Sequence, residues 1–171
     1  QGGFTLSEVI KTKDFWLLFF IWFFLAFCLL MIITHLVPHA MDMGITSVRA
    51  ASILSLTTGT SILGRLSISR IVNITGGKQA TVGSAVLMAG ALLLLALSST
   101  LPMLYLFAVI FGFSYGGVGP SIVAQFGDRF GLRHLGVIMG VLNIGWGVGA
   151  ALGPALAGYL FDINGNYTPA F

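Results

Sequence analysis

Apolar and polar positions alternate along this chain in long blocks rather than residue by residue. An apolar run from Phe15 to Val37 gives way to Pro38 and the polar MDMGITS, a second from about Val48 to Val72 ends in NITGGKQ, and a third from Ala80 to Leu97 ends in SSTLP. A fourth, Met103 to Ala124, leads into the charged QFGDRFGLRHLG, and a fifth, about Val137 to Phe161, runs out into DINGNYTP. Each run is long enough for a helix to cross a hydrocarbon core of about 30 Å. None shows the polar alternation of a barrel strand. The pattern predicts an all-α fold, a polytopic membrane helical bundle of five transmembrane helices, with Pro38 opening the first loop.

One charge breaks the second run. Arg65 lies two turns inside it, and a charge at membrane depth costs roughly 2.5–3.5 kcal/mol on insertion scales, so such residues face a water-filled cavity, a partner or a ligand. At 100° per residue, Ser47, Leu54, Thr58, Ser61 and Ser69 all fall within about 40° of Arg65, a polar stripe with one apolar member. Arg70 lies about 140° around the helix and nearer its end, where a long side chain snorkels to the interface. Arg65 reads as inward-facing and Arg70 as an anchor. No Asp or Glu lies inside any of the runs, so the partner of Arg65 is a substrate, water, or an acid supplied from elsewhere. A planar guanidinium suits a carboxylate, to which it donates two parallel charge-assisted hydrogen bonds. The other reading of Arg65 is a gate that pairs across a cavity.

Composition narrows the class. With 57% hydrophobic and 8% charged residues, the chain lies outside the soluble norm of about a quarter charged. A net charge of +3 does not indicate nucleic acid, because the basic residues form short loop clusters and no stripe. Lys11, Lys13, Arg70, Lys78, Arg129 and Arg133 fall at loops or ends on one side of the five runs and Arg49 alone on the other. The positive-inside rule then makes the start of the chain cytoplasmic. Cys28 is a lone thiol within the first run. The polar start lacks the pattern of a signal peptide, and the chain is expected to be part of a longer polypeptide.

Small residues predict packing. Gly112 with Gly116, Gly136 with Gly140, and Gly145, Gly149 and Gly153 have the spacing that lets helix backbones approach closely in lipid, so the last two runs are expected to be tightly packed. Gly119-Pro120 and Gly153-Pro154 are expected bends. On the fifth run Met139, Asn143, Trp146 and Ala150 share a face; Asn143 is placed to hydrogen-bond a ligand oxygen and Trp146 to wall a cavity, or both to fill gaps. Tyr115 is a further candidate on the fourth run, and Gln125 is expected at the interface. His35 and His39 have the spacing of a metal pair, but Pro38 stands between them and no third ligand is near. No metal or cofactor is expected. His35 is read as an outer-end residue, and the phenylalanines and tryptophans of the first run as lipid face and interface belt.

Ser69 to Lys78, SRIVNITGGK, resembles the loop motif of the major facilitator superfamily, glycine-x-leucine-x-aspartate-arginine-x-glycine-arginine-lysine. Gly76 and Lys78 match, Ile71 replaces leucine, Asn73 stands for aspartate, and Ser69, Ile74 and Gly77 depart from it. The lead-in FTLSEVIKTKDFW, Gly64-Arg65, FGDRFGLRHLG, GVGAALGPALAGYLFD and NGNYTPAF make the layout similar to the C-terminal half of the branch holding oxalate:formate antiporters and monocarboxylate transporters. The resemblance implies helices seven to eleven of a two-bundle fold, with residues 1–14 ending the central cytoplasmic loop and 15–171 forming the C-terminal bundle without its last helix. It implies that Arg65 matches the arginine that holds a substrate carboxylate. Trp146 stands where oxalate carriers of this branch have a lysine, which argues against a dicarboxylate.

The expected function is secondary active or facilitative transport, at the cell membrane, of a small organic anion, a monocarboxylate rather than oxalate or formate in exchange. Alternating access would rock this half against an absent N-terminal six-helix half. The substrate-binding set is Arg65, Ser61, Thr58, Asn143, Trp146 and Tyr115. A drug or sugar carrier of the same superfamily is the alternative within transport, and a non-transporting receptor or assembly subunit the alternative outside it. An enzyme is not expected, since no cluster of acids, bases or nucleophiles lies inside the runs.

Overall fold

The computed structural model describes residues 4–131 and 133–167; the end of the NGNYTPAF stretch, 168–171, lies outside the described residues. These form six helices: α1 Leu6–Val9, α2 Lys13–Asp42, α3 Ser47–Thr75, α4 Gly77–Ala96, α5 Leu101–Phe130 and α6 Leu135–Asn164. By length and composition α2, α4, α5 and α6 suffice to cross a membrane. At 29 residues α3 is long enough, about 43 Å at 1.5 Å per residue, but its serines, threonines and arginines dilute its hydropathy.

Boundaries differ from the sequence expectation wherever a proline or a polar stretch suggested a stop. The first long helix runs through Pro38 to Asp42. Proline removes one donor and crowds one turn, and in an apolar medium the rest of the backbone still gains by staying paired. Helix α5 also continues through Pro120 and, with Gln125, Phe126 and Phe130 buried, takes in Gln125 to Phe130, ending at Gly131 with φ 79°, so half of the expected charged loop is helix. The turn between α3 and α4 is a single residue, Gly76, at φ 85° and ψ 155°; that backbone conformation favours glycine. In the lead-in, α1 starts where the Glu8 carboxylate accepts from the Thr5 N–H at 2.7 Å and the Thr5 hydroxyl at 2.8 Å, one arm of a capping box.

Two crossings organise the bundle, α3 on α5 and α2 on α6, with α4 lying along α5. Lipid supplies no hydrophobic force to bring helices together, so close backbone approach does the work. At the first crossing a Cβ on Gly64 would fall on the Phe113 carbonyl, one on Gly112 on Thr57 and Thr60, and one on Gly116 on the Ser61 carbonyl. At the second, Gly145 lies against the Phe19 ring, Gly149 against the Phe23 backbone and Gly153 against the Phe27 backbone. Gly136 and Gly140 have nothing within 4 Å of where a Cβ would be, so this pair does not pack as its spacing suggested. The last two long helices pack tightly on other partners and hardly on each other. Phe15 is fully buried and Phe19, Phe23 and Phe27 are partly buried, while Trp16, Phe20 and Phe24 remain exposed; the aromatic run is thus only partly lipid face.

Apolar clusters close the two ends. One joins Leu36, Ile53, Leu95, Leu104 and Phe107 from α2, α3, α4 and α5. The other joins Val9, Phe15, Ile122, Phe126, Ile138 and Leu142 from α1, α2, α5 and α6. Beside the second cluster Arg129 pairs with Asp14, the Phe4 N–H donates to the Phe130 carbonyl at 3.1 Å, and Lys78 lines a 240 Å³ cavity with Asp14 and Arg129. The starts of α2 and α4 and the end of α5 therefore share one basic end.

Candidate functional site

The buried face of α3 is Ala50, Ile53, Thr57, Ser61, Gly64 and Ile68, a ribbon of mostly small residues that fits the α5 crossing. The polar stripe of Arg65 sits roughly 75° around from the middle of that face, on its flank. This offset divides the stripe. Ser61 is buried in the crossing and its hydroxyl donates to the Thr58 carbonyl at 2.7 Å. Thr58 is exposed and its hydroxyl donates to the Leu54 carbonyl at 3.1 Å. Both hydroxyls are spent on their own helix, as serine and threonine commonly are within helices.

Arg65 itself reaches a cavity of about 370 Å³ among four helices. Its Nη2 donates to the Tyr115 hydroxyl at 3.4 Å, and the guanidinium carbon lies 5.8 Å from the centre of the Tyr115 ring, within cation–π range. Trp22 and Leu25 of α2, Gly116, Gly119 and Pro120 of α5, and Trp146 of α6 complete the lining. The indoles of Trp22 and Trp146 pack at 4.9 Å between centroids, and the Trp22 N–H is buried without an acceptor among the described residues. The sole ion pair among those residues is Asp14 with Arg129, so Arg65 has no carboxylate beside it.

Three of the expected residues, Arg65, Tyr115 and Trp146, thus meet at one cavity. Asn143 is exposed on α6 and does not line it, because it lies three residues before Trp146, about 60° around the helix. Trp22 and Leu25 were missed. The signal was available, since both share the i, i+3, i+4, i+7 face of Phe15, Leu18 and Leu29, all buried, but the density of aromatics in that run favoured a lipid reading.

Other candidates have structural partners. Gln125, expected at the interface, is buried near the basic end and donates to the Thr81 hydroxyl, which donates to Ser121 at 2.8 Å; it ties α4 to α5. The His35 Nε2 lies 3.1 Å from the Pro154 carbonyl, which docks α2 on α6 where an outer-end residue was expected. Tyr167 stacks on Phe161 with centroids 4.4 Å apart and lies 5.1 Å from His35. Burial, with Asp42 and Asp162 nearby, pushes its phenol above the ordinary range.

Long apolar helices crossing on glycine, with one cation at a shared cavity, define a polytopic membrane bundle. The chain belongs to the Major Facilitator Superfamily, whose profile matches residues 2–154. It is similar to Monocarboxylate transporter 13 of Rattus norvegicus, 29% identical over 139 residues that make up 80% of this chain and 32% of that protein. Monocarboxylate transporter 2 of Homo sapiens is 32% identical over 139 residues, 79% of this chain and 29% of that protein. Monocarboxylate transporter 12 of Xenopus laevis is 27% identical over 141 residues, 80% and 31% respectively. The chain spans about a third of the length of these relatives, which are named as transporters rather than as enzymes.

Proposed function

We propose that this chain is one half of a secondary carrier for a small organic anion, a monocarboxylate, and that Arg65 holds the carboxylate. In this reading α2 to α6 are helices seven to eleven of the family fold, all five cross the cell membrane, and the basic end is cytoplasmic. Residues 15–171 are then the C-terminal bundle, and 1–14 the end of the central loop. A six-helix N-terminal half supplies the facing wall, and the two halves rock to give alternating access.

The observation that carries the reading is a lone guanidinium held at a cavity edge by Tyr115, with no acid beside it among the described residues. An unpaired charge at membrane depth is costly, and a ligand carboxylate offsets that cost by accepting both prongs of the fork. The absence of a lysine at Trp146 favours one carboxylate over two. The relatives named as monocarboxylate transporters support the same class.

Binding of a monocarboxylate to the intact protein in detergent tests this directly, since gating across a membrane is then not required. Arg65→Gln and Arg65→Lys are expected to lose about 1.5–3 kcal/mol, roughly ten- to hundred-fold in affinity, because lysine keeps the charge and loses the fork. Equal binding by all three proteins with transport alone abolished would make Arg65 a gate.

A further inference from the structure

Around Arg65 the lining is aromatic and apolar. Trp22, Tyr115 and Trp146 come from three different helices, and among the described residues no second charged side chain and no amide lines this wall of the cavity. The cavity, about 370 Å³ on this side, lies within the range of small-molecule sites. A ligand that satisfies such a wall carries one negative charge and presents a flat unsaturated face. Aromatic rings gain from offset or edge contacts with other rings beyond the area they bury, whereas a second negative charge would meet no second cation on this wall.

From this we infer that the cavity selects monocarboxylates bearing an aryl or similarly planar body, with Arg65 taking the carboxylate and the Trp22–Trp146 pair taking the ring. The inference rests on the carboxylate reading of Arg65 and adds the body of the substrate to it. The tryptophans act as specificity-determining residues: they hold the neutral part of the ligand.

Intrinsic tryptophan fluorescence of the intact protein in detergent reads the binding, with acetate, benzoate, cyclohexanecarboxylate and oxalate as probes and calorimetric titration as a second measurement. Benzoate is expected to bind about tenfold or more tightly than acetate, and several-fold more tightly than cyclohexanecarboxylate, which has nearly the same size and charge and no planar face. Trp146→Leu keeps an apolar wall and is expected to remove most of the preference for benzoate over cyclohexanecarboxylate. If that variant is poorly folded, the comparison of the two acids on the wild-type protein decides alone. Equal affinities for benzoate and cyclohexanecarboxylate, all lost in Arg65→Gln, would overturn the aryl selection and leave the carboxylate reading standing. Benzoate binding that survives Arg65→Gln, or no binding of any of the four acids to folded protein, would overturn both.

Discussion

The two helix crossings use the same residue for different ends. At α3–α5 glycines lie on both helices and meet carbonyls and hydroxyls, with Gly64 on Phe113, Gly112 on Thr57 and Thr60, and Gly116 on Ser61. The Thr60 hydroxyl also lies 3.2 Å from the Ala108 carbonyl across the gap. At α2–α6 the glycines lie on α6 alone and receive the Phe19 ring and the backbones of Phe23 and Phe27. The first seam is polar and tight, and Arg65 and Tyr115 flank it one residue beyond Gly64 and one before Gly116. The second is apolar and aromatic, with Trp146 one residue beyond Gly145. One crossing sets where the cation sits, and the other sets where the indole sits.

Breaking either seam is expected to give the largest effects. A valine Cβ at Gly116 would occupy the position of the Ser61 carbonyl, and backbone yields less readily than a side chain. Overpacking of this kind costs about 1–3 kcal/mol and occasionally more. Gly116→Val is expected at the upper end, with a drop in thermal midpoint and with lost carboxylate affinity, because α5 must move Tyr115 away from Arg65. Gly153→Val should destabilise comparably and weaken binding less, since Trp146 lies two turns away. Gly140→Val, with nothing within 4 Å, is expected within about 0.5 kcal/mol of wild type. Equal loss of affinity in the two destabilised variants would erase the proposed division of labour.

Much of this contrast was legible in the sequence, and its limits are physical. The periodicity of small residues marked one side of each seam, Gly112 and Gly116 on α5 and Gly145, Gly149 and Gly153 on α6, because spacing by four keeps residues near one helix face. It could not tell the packed Gly145, Gly149 and Gly153 from the open Gly136 and Gly140, which share a helix and a spacing. Which partner a face meets is a tertiary fact. For the same reason the stripe of Thr58, Ser61 and Arg65 was real as a pattern, yet an offset of roughly 75° from the buried face sent only Arg65 to the cavity and turned Ser61 into the crossing. Helix ends were misjudged at Pro38, where a local breaker lost to the need to keep backbone groups paired in an apolar medium, and at Gln125, where burial of Gln125, Phe126 and Phe130 carries α5 on to Phe130.

A smaller effect is expected at the end of the α2–α6 seam away from the basic residues. Here His35 reaches the Pro154 carbonyl, close to a helix position where proline has removed a donor. His35→Ala should cost about 1 kcal/mol, the usual net worth of one hydrogen bond. The change should appear in stability and leave the carboxylate affinity alone, because neither residue lines the Arg65 cavity. An affinity loss matching that of Gly116→Val would mean that the two seams are coupled through α6.

The smallest effect is expected in the lead-in, at the basic end, where α1 packs against α6. The Glu8 carboxylate accepts from the Thr5 backbone N–H and then from its hydroxyl, and these bonds, with Lys11 and His134 nearby, hold it below the ordinary carboxylate range. A depressed acid contributes its stabilisation fully above its unfolded value, and the contribution is lost as pH falls through the folded value. The first turn of α1 is therefore expected to hold at neutral pH and to loosen only below the usual glutamate range. In protein labelled with ¹⁵N-threonine, the Thr5 amide signal should titrate at a pH lower than that of a free glutamate and should not titrate in Glu8→Gln. The signals of threonines in α3 should stay fixed over the same range, because the lead-in packs on α6 and on the last turns of α5, away from the buried face of α3. A Thr5 shift that persists unchanged in Glu8→Gln would assign the titration to a different group and remove the capping role of Glu8.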